Sequence, residues 1–159
     1  MTFIVVDAAS ERARWAMRQY FDELERRFSG GFDDSNAFQE AEVDFNPPNG
    51  LFVVASSDGA TVGCGAIQFL DDQTAEIKRM WVDPRRRGIG LGTRLLGHLE
   101  DQIQRSGRVR VVLDTNASLT EAIAMYGRLG YVPIERYNDN PYAHHWFEKS
   151  LGRAGVNGR

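Results

Sequence analysis

The sequence has little cysteine and no long apolar run. Cys64 is the one cysteine among 159 residues, so no internal disulfide can form, which suits a reducing compartment. The apolar stretches, such as residues 109–113 with Arg110 inside, are far too short to span a bilayer. Residues 1–7 lack the basic start and the long apolar stretch of a signal peptide. We therefore expect a cytoplasmic protein that does not insert into a membrane.

An excess of positive charge is also missing. The chain carries 19 Lys and Arg against 22 Asp and Glu, a net charge of -3, which argues against general nucleic-acid binding. Basic residues nevertheless cluster between positions 78 and 87. Such an island in an acidic chain favours one specific anionic ligand, although a solvated run of charges gives the same pattern. The island consists of Lys78, Arg79, Arg85, Arg86 and Arg87.

Metal and thiol chemistry have little support in the sequence. His144 and His145 are adjacent, and adjacent side chains of a strand point to opposite faces, so we expect no metal site. Cys64 lies in the strand-like segment 62–66. A buried, unreactive thiol fits this segment better than a catalytic nucleophile, because no local signature places a histidine beside it.

The chain length fits one domain, which we assign to residues 1–150, followed by a disordered tail over 151–159. Apolar periodicity and turn residues predict the order strand, helix or helices, three strands, helix, strand, helix and two strands. This order is typical of an α/β fold, a mixed sheet with helices on its faces. Ser10 is predicted to cap the first helix, and Ser118 with Glu121 forms a predicted capping box before the last. The predicted strands are 3–6, 51–56, 61–70, 75–82, 109–114, 131–136 and 145–149, and the predicted helices lie near 11–28, 37–43, 90–104 and 119–129.

The strongest local pattern is the glycine-rich segment 82–92. Pro84 stops a strand, Gly88, Gly90 and Gly92 follow, and a helix begins. Glycines let the backbone approach a ligand, and the first N–H groups of a helix attract phosphate. The glycine spacing matches neither a dinucleotide fingerprint nor a Walker loop. A phosphate site and a purely structural tight turn both remain open at this point.

Several motifs together resemble the GNAT superfamily of N-acetyltransferases. Residues 85–90, Arg-Arg-Arg-Gly-Ile-Gly, are similar to its acetyl-CoA signature Gln/Arg-x-x-Gly-x-Gly/Ala. Residues 76–82 resemble the family's fourth strand, 113–116 the end of its fifth, and 122–131 its helix with a tyrosine before a Gly-Tyr step. The resemblance is strong over residues 50–135. It implies a GNAT-like α/β fold, with a mostly antiparallel sheet splayed between the fourth and fifth strands and about four helices.

The resemblance also implies a function. An enzyme of this family transfers the acetyl group of acetyl-CoA to a primary amine, here expected on a small molecule, by direct attack in a ternary complex. Two alternatives stay open: a CoA-binding regulatory module without turnover, and an acetyltransferase for protein N-termini or lysines. A homodimer is a further expectation, since many relatives pair through sheet edges or helices.

The resemblance further implies which residues bind acetyl-CoA. The backbone of residues 80–82 would hold the pantetheine arm like an added strand, and an N–H of Met80 or Trp81 would polarise the thioester carbonyl. Asn116 would bond the same arm from the opposite strand, and the glycine-rich segment would hold the pyrophosphate. The implied cofactor-binding residues are Met80, Trp81, Val82, Arg87, Gly88, Ile89, Gly90, Leu91, Gly92, Thr93 and Asn116.

Two residues receive catalytic roles from the resemblance. Tyr126 would act as general acid for the departing thiolate, although its place on an apolar helix stripe also fits a core tyrosine. Glu76 would act as the base, although a solvent-facing residue or a partner of Lys78 or Arg79 fits equally well. The adjacent charges Lys78 and Arg79 break the strand alternation and predict a β-bulge, as the family has on this strand.

The acceptor is expected to bind between the early helices and the last strands. Phe32, Phe38 and the polar, aromatic run 137–146 are candidates for the rim of a pocket. The acidic residues Asp33, Asp34 and Asp139 would favour a cationic amine, whereas ordinary loop hydrophilicity accounts for them equally well.

Overall fold

A computed structural model of the chain describes residues 1–152. No helix in this part of the chain is long and apolar enough to cross a bilayer. The strands are β1 (Thr2–Val6), β2 (Gly50–Ser57), β3 (Ala60–Phe69), β4 (Thr74–Val82), β5 (Arg110–Thr115), β6 (Val132–Ile134) and β7 (His145–Ser150), and the helices are α1 (Glu11–Arg27), α2 (Ala37–Asp44), α3 (Leu91–Arg105) and α4 (Thr120–Arg128). The predicted order of elements and the predicted α/β class are confirmed.

The seven strands form one sheet in the order β1-β2-β3-β4-β5-β7-β6. All neighbours are antiparallel except β4 and β5, which run parallel. This parallel pair is short, because it joins residues 74–76 to residues 110–112 and then stops. Beyond it the two strands diverge, and their facing edges are unpaired over 77–82 and 113–115. The predicted splay between the fourth and fifth strands is confirmed.

Each face of the sheet carries its own core. On one face α1 and α2 pack over β2 and β3, with Phe21, Phe52 and Val54 fully or almost fully buried. On the other face α3 and α4 pack over the centre of the sheet through Leu99 and Tyr126. The sequence produces this division because alternate residues of a strand point to opposite faces and every third or fourth residue of a helix shares one stripe. Helices therefore cover both faces of the sheet near the point where β4 and β5 diverge.

The predicted cap of α1 is confirmed, whereas the predicted capping box of α4 is wrong. Ser10 Oγ accepts the Ala13 N–H at 3.3 Å. In α4 the residue before the helix is Leu119, and no side chain caps it. The Glu121 carboxylate instead accepts Arg27 Nη2 of α1 at 2.8 Å. Ser118 Oγ is buried without a hydrogen-bond partner among the described residues. Glu121 therefore forms a long-range ion pair with Arg27 instead of the backbone hydrogen bond that the capping box requires.

The predicted β-bulge lies where the charges break the alternation. The pairing of β3 with β4 steps from Ala66–Lys78 to Cys64–Trp81, so β4 contains one extra residue. Arg79 occupies the left-handed region at φ 57°, which is uncommon for a residue other than glycine. The bulge bends β4 and redirects the side chains that follow it toward the cleft.

Cys64 faces the α1 core and is fully buried. Its thiol donates to the Arg79 carbonyl at 3.3 Å, and burial raises the pKa of Cys64 to about 12. A thiol that stays protonated at neutral pH is a poor nucleophile, so the interpretation as an unreactive core residue stands. At the end of β7, Leu151 N–H donates to the Val109 carbonyl at 2.7 Å. The rest of the predicted tail, residues 153–159, lies outside the described residues.

Asp83 fixes the turn that leads from β4 into α3. A short 3-10 turn, Pro84–Arg86, follows it, and Asp83 Oδ1 accepts the Arg85 N–H at 3.0 Å. The Arg85 side chain adds a contact from Nη2 to Oδ2 at 3.0 Å. These hydrogen bonds, with the side-chain contact from Arg85 foremost, lower the pKa of Asp83 below its ordinary value. The ionised carboxylate therefore stabilises the folded turn.

We predict that Asp83→Ala lowers the free energy of unfolding by about 1 kcal/mol at pH 7, as for other lost caps. Because the pKa is lowered on folding, the carboxylate's contribution is full above the unfolded pKa of about 3.9 and is lost as the pH falls through the lower, folded value. Urea titrations of both proteins at a series of pH values measure the difference. A gap between them that stays constant down to pH 3 would contradict the role given to the charge.

Candidate active site

Two cavities adjoin where β4 and β5 diverge. The first, of about 330 Å³, lies between α1, the end of β4, the glycine-rich segment and α4. The second, of about 260 Å³, lies between α1, β4, β5 and the loop before β7. They meet at a shared wall, which consists of Tyr20, Leu24, Met80, Leu119, Ala122 and Tyr126. A molecule in either cavity therefore reaches the same central point.

The glycine-rich segment closes one end of the first cavity. Gly88 and Gly90 have φ values of 87° and 83°. A residue with a side chain adopts this left-handed conformation only with strain. Gly90 precedes α3, and no side chain caps the helix. Within residues 1–152, none of the backbone N–H groups of residues 88–93 donates a hydrogen bond. An arc of available amides at the positive end of a helix dipole is a binding site for an anion.

Arg87 ties this segment to the other walls of the cavity. Its Nε donates to the Val82 carbonyl at 3.1 Å, and its Nη2 contacts Glu23 Oε1 at 2.7 Å. Glu23 also accepts Arg27 Nη1 of α1 at 2.9 Å. Arg85 belongs to a different environment, because its side chain is 86% exposed and paired with Asp83. The basic island predicted from the sequence is thus divided, and Arg87 is its member in this cavity.

The last residues of β4 present an open backbone edge to the first cavity. Asp83 N–H bonds to the Val62 carbonyl of β3 at 2.9 Å, so by alternation the backbone groups of Val82 face away from β3. The contact of Arg87 with the Val82 carbonyl lies on that side. The same alternation directs the Met80 N–H toward the cleft. An unpaired strand edge is a template for an extended ligand.

Tyr126 stands at the junction of the two cavities. It is 6% exposed, and it packs edge to face against Tyr131, with ring centroids 5.7 Å apart. No hydrogen bond within residues 1–152 involves its hydroxyl group. Burial first, and then the nearby Asp114 carboxylate, raise the pKa of Tyr126 above its ordinary value. The hydroxyl therefore keeps its proton at neutral pH.

Glu76 is buried rather than solvent-facing, and the contact with Lys78 that was considered for it is present. It is 4% exposed, and its carboxylate accepts the Tyr137 hydroxyl at 2.6 Å and lies 3.7 Å from Lys78 Nζ. It is not among the residues that line either cavity. Asn138 Nδ2 connects it to a second carboxylate, Asp114, through contacts of 3.4 Å and 2.6 Å.

Asp114 is the acidic residue that reaches the second cavity. Its Oδ2 and Oδ1 accept the side-chain amides of Asn138 and Asn140 at 2.6 Å and 3.1 Å. The sequence analysis missed this residue, although a charged residue near the end of the buried strand β5 was a usable signal. Asp34, in contrast, pairs with Arg18 of α1, and neither Asp33 nor Asp139 is among the lining residues. The loop aspartates predicted to favour an amine therefore do not form this surface.

The predicted cofactor residues divide between the cavities. Asn116 lines the second cavity, where its Nδ2 donates to the Tyr142 carbonyl at 2.7 Å and its Oδ1 accepts the Ser118 N–H at 2.9 Å. Ile89 is 60% exposed and lines neither cavity. The first cavity brings together the remaining predicted residues, which are Met80, Trp81, Val82, Arg87, Gly88, Gly90, Leu91, Gly92 and Thr93.

Aromatic side chains form one wall of the second cavity. Phe32, a predicted rim residue, lies 4.7 Å from Tyr142 between ring centroids and 5.4 Å from Phe21. Phe28 completes the group at 5.7 Å from Tyr142. The sequence analysis did not identify Tyr20, Phe21 and Phe28 as site residues, because the first two lie on the apolar side of α1 and Phe28 directly follows this helix. Within residues 1–152 no group of His, Cys, Asp and Glu is arranged to hold a metal ion.

Comparison with known proteins agrees with this architecture. The model of the acetyltransferase (GNAT) family matches residues 14–131. An IAA acetyltransferase of Azospirillum brasilense is 32% identical over 131 residues, which cover 79% of this chain and 85% of the relative. Both observations are enough to assign the family.

Solved structures agree on the fold. A GNAT-family acetyltransferase of Staphylococcus aureus Mu50 has a TM-score of 0.79 at 16% identity, over 95% of this chain and all of the other. A GNAT-family acetyltransferase of Elizabethkingia anophelis with acetyl-CoA bound has a TM-score of 0.69 at 16% identity, over 94% and 97% of the two chains. The chain therefore belongs to the acetyltransferase (GNAT) family and is an acyl-CoA N-acyltransferase.

Proposed function

We propose that this enzyme transfers the acetyl group of acetyl-CoA to the primary amine of a small molecule in a ternary complex. One observation carries the proposal. The first cavity runs from the available amides of residues 88–93 to Tyr126, and the second cavity is lined by the same tyrosine. Acetyl-CoA in the first cavity and an amine in the second would meet at Tyr126, which would supply the proton.

The residues of the first cavity fit coenzyme A. The amides of residues 88–93 suit its diphosphate, and the open edge of β4 suits the amide-bearing pantetheine arm. Gly92 leaves space that a side chain would fill, because an added Cβ would lie 3.2 Å from Met125 Sδ. Arg87 would add positive charge beside the diphosphate once its contact with Glu23 is exchanged.

The bulge in β4 supports a role for the backbone in polarising the thioester carbonyl. The alternation after the bulge turns the Met80 N–H toward the cleft, whereas that of Trp81 faces β3. We therefore assign the oxyanion donor to Met80. A fixed N–H aimed at the carbonyl oxygen lowers the barrier because negative charge develops there during attack.

Proton transfer is assigned to Tyr126 and to the carboxylates between β4 and β5. As the amine forms the C–N bond and the C–S bond breaks, Tyr126 gives its proton to the sulfur, and the proton released by the new amide nitrogen restores the Tyr126 hydroxyl. The amine must lose a proton before it attacks, and Asp114 is the carboxylate that lines the acceptor cavity. Glu76 supports Asp114 through the shared Asn138 amide. In this assignment Asp114 accepts the proton of the amine, and Glu76 helps to position it rather than acting as the base itself.

The second cavity favours a small molecule over a protein terminus or lysine. Its volume of about 260 Å³ and its aromatic wall suit a compact, partly apolar ligand. Tyr126 also favours catalysis over a regulatory CoA-binding module. Its hydroxyl has no hydrogen-bond partner in the described residues, and the residue lines both cavities, where it could protonate a leaving group, a role that binding alone does not require.

We predict that Gly90→Glu weakens coenzyme A binding at least about tenfold, because it strains a left-handed residue and adds negative charge beside the diphosphate. Isothermal titration calorimetry with coenzyme A measures the effect. Gly97→Glu is the matched control, because it adds the same charge to α3 at a position with nothing within 4 Å of an added Cβ. Equal affinities for the two variants would contradict the assignment of the anion site.

We predict that Tyr126→Phe lowers kcat about 100-fold at unchanged affinity for coenzyme A, because the thiolate loses its proton donor. Release of free thiol from acetyl-CoA with a panel of amines measures the rate.

Tyr131→Phe is the matched control for this substitution. The Tyr131 hydroxyl donates to Glu100 at 2.7 Å outside both cavities, so its removal should leave the rate unchanged. A large loss in Tyr20→Phe, with Tyr126→Phe fully active, would transfer the acid role to the other tyrosine of the shared wall.

A further inference from the structure

Arg79 carries a largely buried charge with no ion-pair partner in the described residues. Its guanidinium packs against the rings of Phe21 and Phe45, at 5.1 Å and 4.9 Å from their centroids. Nη1 donates to the Ala37 carbonyl at 3.0 Å and lies 3.6 Å from Met17 Sδ. No hydrogen bond within residues 1–152 uses Nε or Nη2. Burial lowers the pKa of Arg79, and the nearby Glu40 and Asp44 carboxylates act in the opposite direction without forming an ion pair with it.

Cation–π packing alone does not account for this arrangement. Two aromatic faces stabilise a guanidinium, but its planar fork offers five donors, and a buried cation without a counter-ion is costly. Arg79 and Phe21 both line the second cavity, and Lys78 lies beside them. Lys78 is already paired with Glu76, whereas Nε and Nη2 of Arg79 remain available. These donors suit an anion, above all a carboxylate, which an arginine fork binds at two oxygens.

The opposite charge lies elsewhere in the same cavity. Asp114 on β5 lines it, held by Asn138 and Asn140. Asp114 also acts electrostatically on Tyr126, so its charge lies near the proposed reaction centre. A ligand that spans the cavity therefore meets a carboxylate close to the centre and a guanidinium at the α1–α2 side, with the rings of Phe28, Phe32 and Tyr142 along its wall.

We propose that the acceptor is an amino carboxylate with an apolar, preferably aromatic, body. Its ammonium group contacts Asp114, its carboxylate contacts Arg79, and its apolar part packs on the aromatic wall. This inference rests on the proposed function, because acetyl transfer is what makes the ligand of the second cavity an amine acceptor. The recognition of a carboxylate by Arg79 rests on the cavity itself.

Paired acceptors test the proposal in the full-length enzyme with acetyl-CoA. L-phenylalanine and L-leucine are each compared with their carboxamides, which keep the amine and the body but lose the negative charge. We expect the carboxylate-to-carboxamide ratio of kcat/KM to fall about 10- to 100-fold in Arg79→Met, the range for lost charge-assisted hydrogen bonds. Comparing each ratio with that of the wild type cancels the difference in amine basicity between the two acceptors.

Two further variants separate recognition from folding. Arg108→Met is the matched control, because Arg108 also packs on an aromatic ring, Phe69 at 3.9 Å, but lies outside both cavities. It should keep the wild-type ratio. Arg79→Lys keeps the charge and loses the fork, so it should keep part of the preference. It also provides the comparison if Arg79→Met does not fold.

The outcomes distinguish this inference from the proposed function. Turnover of both acceptors with the same ratio in wild type and Arg79→Met overturns the carboxylate site and leaves acetyl transfer standing. If no amine is acetylated, calorimetry of L-phenylalanine with the enzyme saturated in coenzyme A still tests the site. Binding that weakens about tenfold or more in Arg79→Met supports the site alone, and no binding to the wild type overturns it.

Discussion

The brief parallel pairing of β4 with β5 is the constraint on which the rest of the structure depends. It joins residues 74–76 to residues 110–112 and no further. Strands that stayed paired would satisfy each other's backbone groups and close the sheet. Their divergence instead leaves an open edge on β4 and lets the two cavities reach a common wall at Tyr126. The bulge at Arg79 adds to this opening, because it turns the backbone of Met80 toward the cleft.

The charges around the cleft are separated in a way that suits two different ligands. On the first side, the helix N-terminus and Arg87 would face the diphosphate of the proposed donor, while Arg87 contacts Glu23 in this structure. On the second side, Asp114 and Arg79 lie in one cavity without pairing with each other. Inside a protein such charges are costly unless a ligand or a hydrogen-bond network compensates them. Fold stability alone does not explain why they stand there.

Much of the fold and the donor half of the site could be predicted from the sequence, because both depend on local patterns. The glycine-rich turn and the adjacent charges at the bulge are contiguous in the chain, and their spacing carries the information. The acceptor half could not be predicted, because Asp114, Arg79 and Tyr20 come together only through the packing of α1 on the splayed strands. The failed capping box has the same cause, since the partner that takes Glu121 is Arg27, far away in sequence.

The central claim is that the backbone amides opening α3 receive the diphosphate of the acetyl donor. Nitrogen-15 NMR of the labelled protein tests it most directly, with coenzyme A and pantetheine as two separate titrants. The account predicts that the amide resonances of residues 88–93 shift with coenzyme A and remain in place with pantetheine, which lacks the diphosphate. Resonances of residues 88–93 that stay unchanged while coenzyme A shifts signals elsewhere would contradict it.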